Sequence, residues 1–75
     1  MFKQEYFAER LRLLRLQNKL SQDDLAKLLH VSKTYVSDIE RCRRTTTLDK
    51  LVELADAFNC STDYLLGITD IPERR

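Results

Sequence analysis

Residues 20–41, LSQDDLAKLLHVSKTYVSDIER, constrain this chain more than any other stretch, because they hold two short helical patterns with almost nothing between them. Ser21-Gln22-Asp23-Asp24 is close to a capping box, a hydroxyl acceptor answered three residues later by an acid. Leu25, Ala26, Leu28 and Leu29 follow, and the pattern stops near His30. Ser32 is the next N-cap candidate, and Val36 and Ile39, three apart, mark the apolar side of the helix it starts. Two short helices joined by about three residues must cross steeply. The first then needs a small residue where the second approaches, and Ala26 supplies it. Val31, Val36 and Ile39 line the inside, so the start of the second of these helices projects outward.

The flanking segments are helical too. From about Gln4 to Gln17, Phe7, Leu11 and Leu14 recur on one face, with Arg10, Arg12 and Arg15 between them. Asn18-Lys19 ends that helix, with Asn18 read as the residue that tolerates a left-handed backbone. Thr47 caps a fourth helix carrying Leu48, Leu51, Val52, Leu54, Ala55 and Phe58, which Asn59-Cys60 breaks. Ser61 or Thr62 caps a short fifth helix with Tyr64, Leu65 and Leu66, and Gly67 stands where a C-terminal cap is expected. The expected architecture is all-α: one compact five-helix bundle over residues 1–75, with its core at about 7–67 and a flexible tail at about 70–75. One Gly and one Pro in 75 residues fit this and argue against sheets, whose turns need both.

Charge is unevenly distributed. Residues 1–44 hold ten Lys/Arg and six Asp/Glu, a net of +4, whereas residues 45–75 hold three and six, a net of −3. A basic front suits a polyanion; a mixed solvated surface is the plainer reading. The third helix raises the same choice. Lys33, Thr34, Tyr35, Ser37 and Asp38 point away from its apolar side, so it is either a weak solvated helix or one whose polar face has a partner. Cys42 and Cys60 make no disulfide framework, and His30, the single histidine, lies far from both in sequence, so no metal spacing exists. No cofactor is expected. No nucleophile sits near a base and no glycine-rich phosphate loop occurs, which argues against an enzyme. The N-terminus lacks a long apolar run, so neither a signal peptide nor a membrane span is expected, and the cytoplasm is the expected compartment.

At this point a resemblance becomes close. Leu14-Arg15, Leu20-Ser21-Gln22, Leu25-Ala26, Val31-Ser32-Lys33, Ile39-Glu40-Arg41, the Leu48…Leu51…Leu54-Ala55 helix and Asp63-Tyr64-Leu65-Leu66-Gly67 occur in order. Over about Arg10 to Gly67 the chain resembles the phage-repressor/Cro (Xre-like) family of bacterial and phage transcriptional regulators. The resemblance implies a lambda-repressor-like domain whose helix-turn-helix places the third helix in the DNA major groove. It also implies an internal ion pair between Arg15 and Glu40, a structural role rather than a DNA contact. The chain departs from the family pattern at His30 and Cys42, where glycine is usual, and at Thr46, where proline is common. The two replaced glycines would sit at positive φ, so strain is expected there.

The candidate DNA-binding residues each carry a second, plainer reading. Gln22 contacts phosphate and braces the third helix, or is an ordinary polar residue of a first turn. Ser32 is a cap in either case, and its amide is placed to meet phosphate. Lys33 is suited to guanine O6/N7 and Thr34 to a thymine methyl, with Ser37 beside them; the alternative is a solvated face. Tyr35 lies on the sugar-phosphate backbone or packs on the first helix. Asp38 accepts from cytosine N4 or, the favoured reading, pairs with Arg41 or Lys33. Arg43 and Arg44 meet phosphates or form a solvated loop.

The leading functional reading is a sequence-specific repressor on double-stranded DNA. One helix reads few base pairs, so a homodimer on a palindromic operator is expected, with half-sites roughly 34–36 Å apart or a multiple of that. The competing reading is an antitoxin-like module whose main ligand is a protein partner. Phe2, Tyr6, Phe58, Ile68 and Ile71 could form an apolar patch for that partner or for the dimer.

Overall fold

In the computed structural model, which describes residues 1–74, the chain forms α1 (Gln4–Gln17), α2 (Gln22–Leu29), α3 (Lys33–Glu40), α4 (Leu48–Phe58) and α5 (Thr62–Leu65). No strand occurs among the described residues.

Four of the five helices start on a side-chain cap. Ser21, Ser32, Thr47 and Ser61 each accept from the backbone amide three residues on, satisfying a donor that has no partner within the helix. At α2 the Asp24 carboxylate also accepts from the Ser21 amide at 3.0 Å, which completes the capping box. Hydrogen bonding to Ser21, to its backbone amide first and its hydroxyl second, holds the Asp24 carboxyl below its usual range. α1 starts at Lys3 without a side-chain cap.

The helix ends share one device. Each is followed by a residue at positive φ: Lys19, His30, Cys42, Asn59 and Gly67. Around each, the amide of that residue bonds the carbonyl three back, and the next amide bonds the carbonyl five back. At α2 these are His30 to Lys27 and Val31 to Ala26; at α3, Cys42 to Ile39 and Arg43 to Asp38. All five ends are therefore Schellman closures. The left-handed residue after α1 is Lys19 at φ 58°, not Asn18, which keeps φ −94° and instead donates its side-chain amide to the Leu14 carbonyl at 2.8 Å.

Strain at four of these positions follows from L-chirality. A left-handed backbone costs a residue with a Cβ roughly 1–2 kcal/mol. Cys42 is exposed at φ 65°, so its side chain returns little packing. Cys42→Gly is expected to stabilise the domain by about 0.5–1 kcal/mol, the relief less glycine's greater loss of backbone freedom. A urea-unfolding midpoint that stayed put or fell would show the loop to be unstrained.

The core gathers Phe7, Leu11 and Leu14 of α1, Leu25, Ala26 and Leu29 of α2, Val36 and Ile39 of α3, and Leu51, Leu54 and Ala55 of α4, with Cys60, Tyr64 and Leu65. Burial pushes the Cys60 thiol pKa up. Leu28, Leu48 and Val52, part of the apolar sequence pattern, face solvent instead. Phe58 packs against the core, whereas Phe2, Tyr6, Ile68 and Ile71 are exposed.

Residues 69–74, which overlap the flexible tail expected at about 70–75, carry specific bonds. Arg10 donates to the Thr69 carbonyl and the Asp70 carboxylate, the Ser61 amide donates to the Pro72 carbonyl, and Arg74 pairs with Asp56 at 2.6 Å. The expected tail extends to residue 75, which lies outside the described residues.

Candidate nucleic-acid interface

The crossing of α2 and α3 sets the site. Ala26 is buried between them, and its carbonyl accepts the Val31 amide at 2.9 Å, which folds the turn tightly back. Val36 and Ile39 are fully buried, so the opposite side of α3 must face out. Lys33 and Thr34 are exposed there, and Ser37 and Asp38 are half-buried further along. Ser32 starts the helix, its hydroxyl accepting from the Tyr35 amide at 3.0 Å. Neither Arg41 nor Lys33 forms an ion pair with Asp38.

The far end of α3 is tied inward. Arg15 Nε and Nη2 donate to the two Glu40 carboxylate oxygens at 2.7 and 3.0 Å, a bidentate pair. Arg15 Nη1 donates to the Leu20 carbonyl at 2.9 Å. Gln22 Nε2 donates to Glu40 Oε1 at 3.3 Å, linking the start of α2 to the end of α3. The two charged side chains are only 11% and 5% exposed, and among the described residues no buried side-chain nitrogen or oxygen lacks a hydrogen-bond partner, so the network offsets the cost of burying them.

The loop after α3 is basic and partly ordered by Tyr35. Arg43 and Arg44 are both exposed. The Arg44 guanidinium carbon lies 3.7 Å from the centroid of the Tyr35 ring, and Arg44 Nε donates to the Thr45 carbonyl at 3.1 Å. The Tyr35 hydroxyl and Thr46 Oγ1 share a hydrogen bond of 2.7 Å. Tyr35 thus faces the loop with its hydroxyl and one ring face while also packing against the core.

Of the residues singled out in the sequence, Ser32, Lys33, Thr34, Ser37 and Asp38 lie along one outward strip, with Arg43 and Arg44 in the loop that follows it. Gln22 is turned partly inward by Glu40. Thr46 is the residue that sequence reasoning missed as a contributor. It entered only as a departure from a family pattern, and no periodicity links it to Tyr35, eleven positions earlier.

A family model described as helix-turn-helix matches residues 11–65. A Bacillus subtilis protein named as the uncharacterized HTH-type transcriptional regulator YobD is 39% identical over 67 residues, which is 89% of this chain and 60% of that protein. The control protein C.SmaI of Serratia marcescens is 42% identical over 62 residues, covering 83% and 74% of the two chains. Among solved structures, the P22 c2 repressor in complex with a synthetic operator superposes with a TM-score of 0.75 at 37% identity, covering 80% of this chain and 91% of that one.

Proposed function

Because this chain belongs to the helix-turn-helix family of transcriptional regulators, we propose that it is a sequence-specific DNA-binding repressor that reads its operator with α3 in the major groove and binds as a homodimer on a palindromic site. The outward strip of α3 carries the reading: Lys33, Thr34 and Ser37 stand opposite Val36 and Ile39 on a helix whose ends are fixed. Arg43, Arg44 and the α2 start at Gln22 flank the strip and supply phosphate contacts, with the Ser32 amide at the start of α3. Asp38 forms no ion pair among the described residues, which supports its accepting from cytosine N4. Ile68 and Ile71, exposed at the C-terminal side, are the proposed dimer contact. Among the described residues no helix is long and apolar enough to cross a membrane.

Selection from a pool of random duplexes tests this. It should return a two-fold repeated site, and Lys33→Ala and Thr34→Ala should each relax preference at particular positions by about 1–3 kcal/mol while leaving non-specific binding nearly unchanged. Mutants that kept the parent's base preferences would remove α3 as the reading element. The exposed Phe2, Tyr6, Ile68 and Ile71 would then favour a protein-binding module instead.

A further inference from the structure

Tyr35 stands at the junction between the outward strip of α3 and the basic loop, and both of its polar and aromatic contacts go to that loop. Its ring carries the Arg44 guanidinium at 3.7 Å, and its hydroxyl meets Thr46 at 2.7 Å. The remainder of the side chain packs against the core, so the ring itself has a fixed seat. Arg44 would otherwise be a long exposed side chain with many rotamers, losing entropy whenever it is ordered. Stacked as it is, with Nε committed to the Thr45 carbonyl, it has two terminal nitrogens along one edge of a planar group that form no hydrogen bond among the described residues. That edge suits two oxygens of one phosphate.

We infer that Tyr35 is a positioning residue: it holds Arg44 in a preset orientation relative to α3, so that the loop grips a backbone phosphate in register with the strip that reads bases, and it does not touch DNA itself. This inference rests on the DNA-binding reading above and adds to it a division of labour between two neighbouring side chains. It also explains the threonine at position 46. A proline there has no hydroxyl for Tyr35, whereas Thr46 pins the far end of the loop to the same ring.

A double-mutant cycle on duplex affinity tests it, with the full chain and an operator selected by the parent. Tyr35→Leu alone is expected to weaken binding about 2- to 5-fold, the scale of an exposed cation–π contact. Arg44→Ala is expected to lower the salt slope by about 1. In the Arg44→Ala background, Tyr35→Leu should then add almost nothing. Tyr35→Phe keeps the ring under Arg44 and is expected to restore most of the affinity lost in Tyr35→Leu. Arg44 is exposed, so Arg44→Lys leaves folding intact even if Tyr35→Leu does not. It keeps the charge but gives up the flat stack, and a several-fold loss is expected. Additive losses, or Arg44→Lys binding as tightly as the parent, would overturn the positioning role while leaving the DNA-binding reading in place. A parent that bound no duplex would overturn both.

Discussion

Replacing Arg15 with Met is expected to lower the stability of the domain by about 3–5 kcal/mol, because it strands the Glu40 carboxylate in a buried site. Glu40 is the more enclosed of the two side chains, and among the described residues only the Gln22 amide, at 3.3 Å, would still donate to it without Arg15. A loss of that size is a large share of what a domain this small can have, and at about 4–8 °C per kcal/mol it would bring the midpoint far down. The pair is costly to break but need not be the best filling for its space. Arg15→Met combined with Glu40→Leu is expected to be more stable than Arg15→Met alone, since no uncompensated charge remains. Thermal unfolding of the three variants decides it. An Arg15→Met variant within about 1 kcal/mol of the parent would mean that water reaches Glu40 and the pair behaves as a surface one.

Gly67→Ala is the second large effect. The residue closes α5 at φ +77°, and a Cβ built there would come within 2.6 Å of the Tyr6 Cβ and 2.8 Å of Cδ2. The Tyr6 Cβ is rooted in the α1 backbone, so no rotamer change removes the first contact. Left-handed strain and the overpacking add, and a loss of about 2–4 kcal/mol is expected in chemical denaturation. Asn59, also left-handed at φ 50°, has a side chain already and shows that the conformation alone is tolerated. Position 67 therefore differs by its neighbour rather than by its φ. If Gly67→Ala cost no more than about 1 kcal/mol, the approach of α1 to the end of α5 would have to be adjustable.

The parts of the fold legible in the sequence are those written locally. Ser21, Ser32, Thr47 and Ser61 announce helix starts because a cap needs only the next three residues, and the five helices lie where periodicity and caps put them. The end of α1 was less legible: Asn18 tolerates a left-handed backbone better than Lys19 does, yet Lys19 adopts it while Asn18 caps a carbonyl with its side chain. Apolar pattern also overcounted the core, since Leu48 and Val52 of α4 are exposed. The outward strip of α3 followed from two buried positions, Val36 and Ile39. The Arg15–Glu40 network came from resemblance alone, because a contact across 25 positions leaves no spacing to read. The stack of Arg44 on Tyr35 and the bond to Thr46 depend on how a loop folds back, which neither pattern nor propensity fixes.

The way α3 begins and ends also bears on how such a chain can diverge. Its start is set by Ser32, its end by the closure around Cys42, its depth by Val36 and Ile39, and its tether by Glu40. None of these is Lys33, Thr34 or Ser37, and those three side chains form no hydrogen bond among the described residues. The helix is thus held in place by positions other than Lys33, Thr34 and Ser37. Substitutions at the displayed positions leave the scaffold's own requirements untouched, so a lineage can change what α3 presents one residue at a time without passing through an unfolded intermediate sequence.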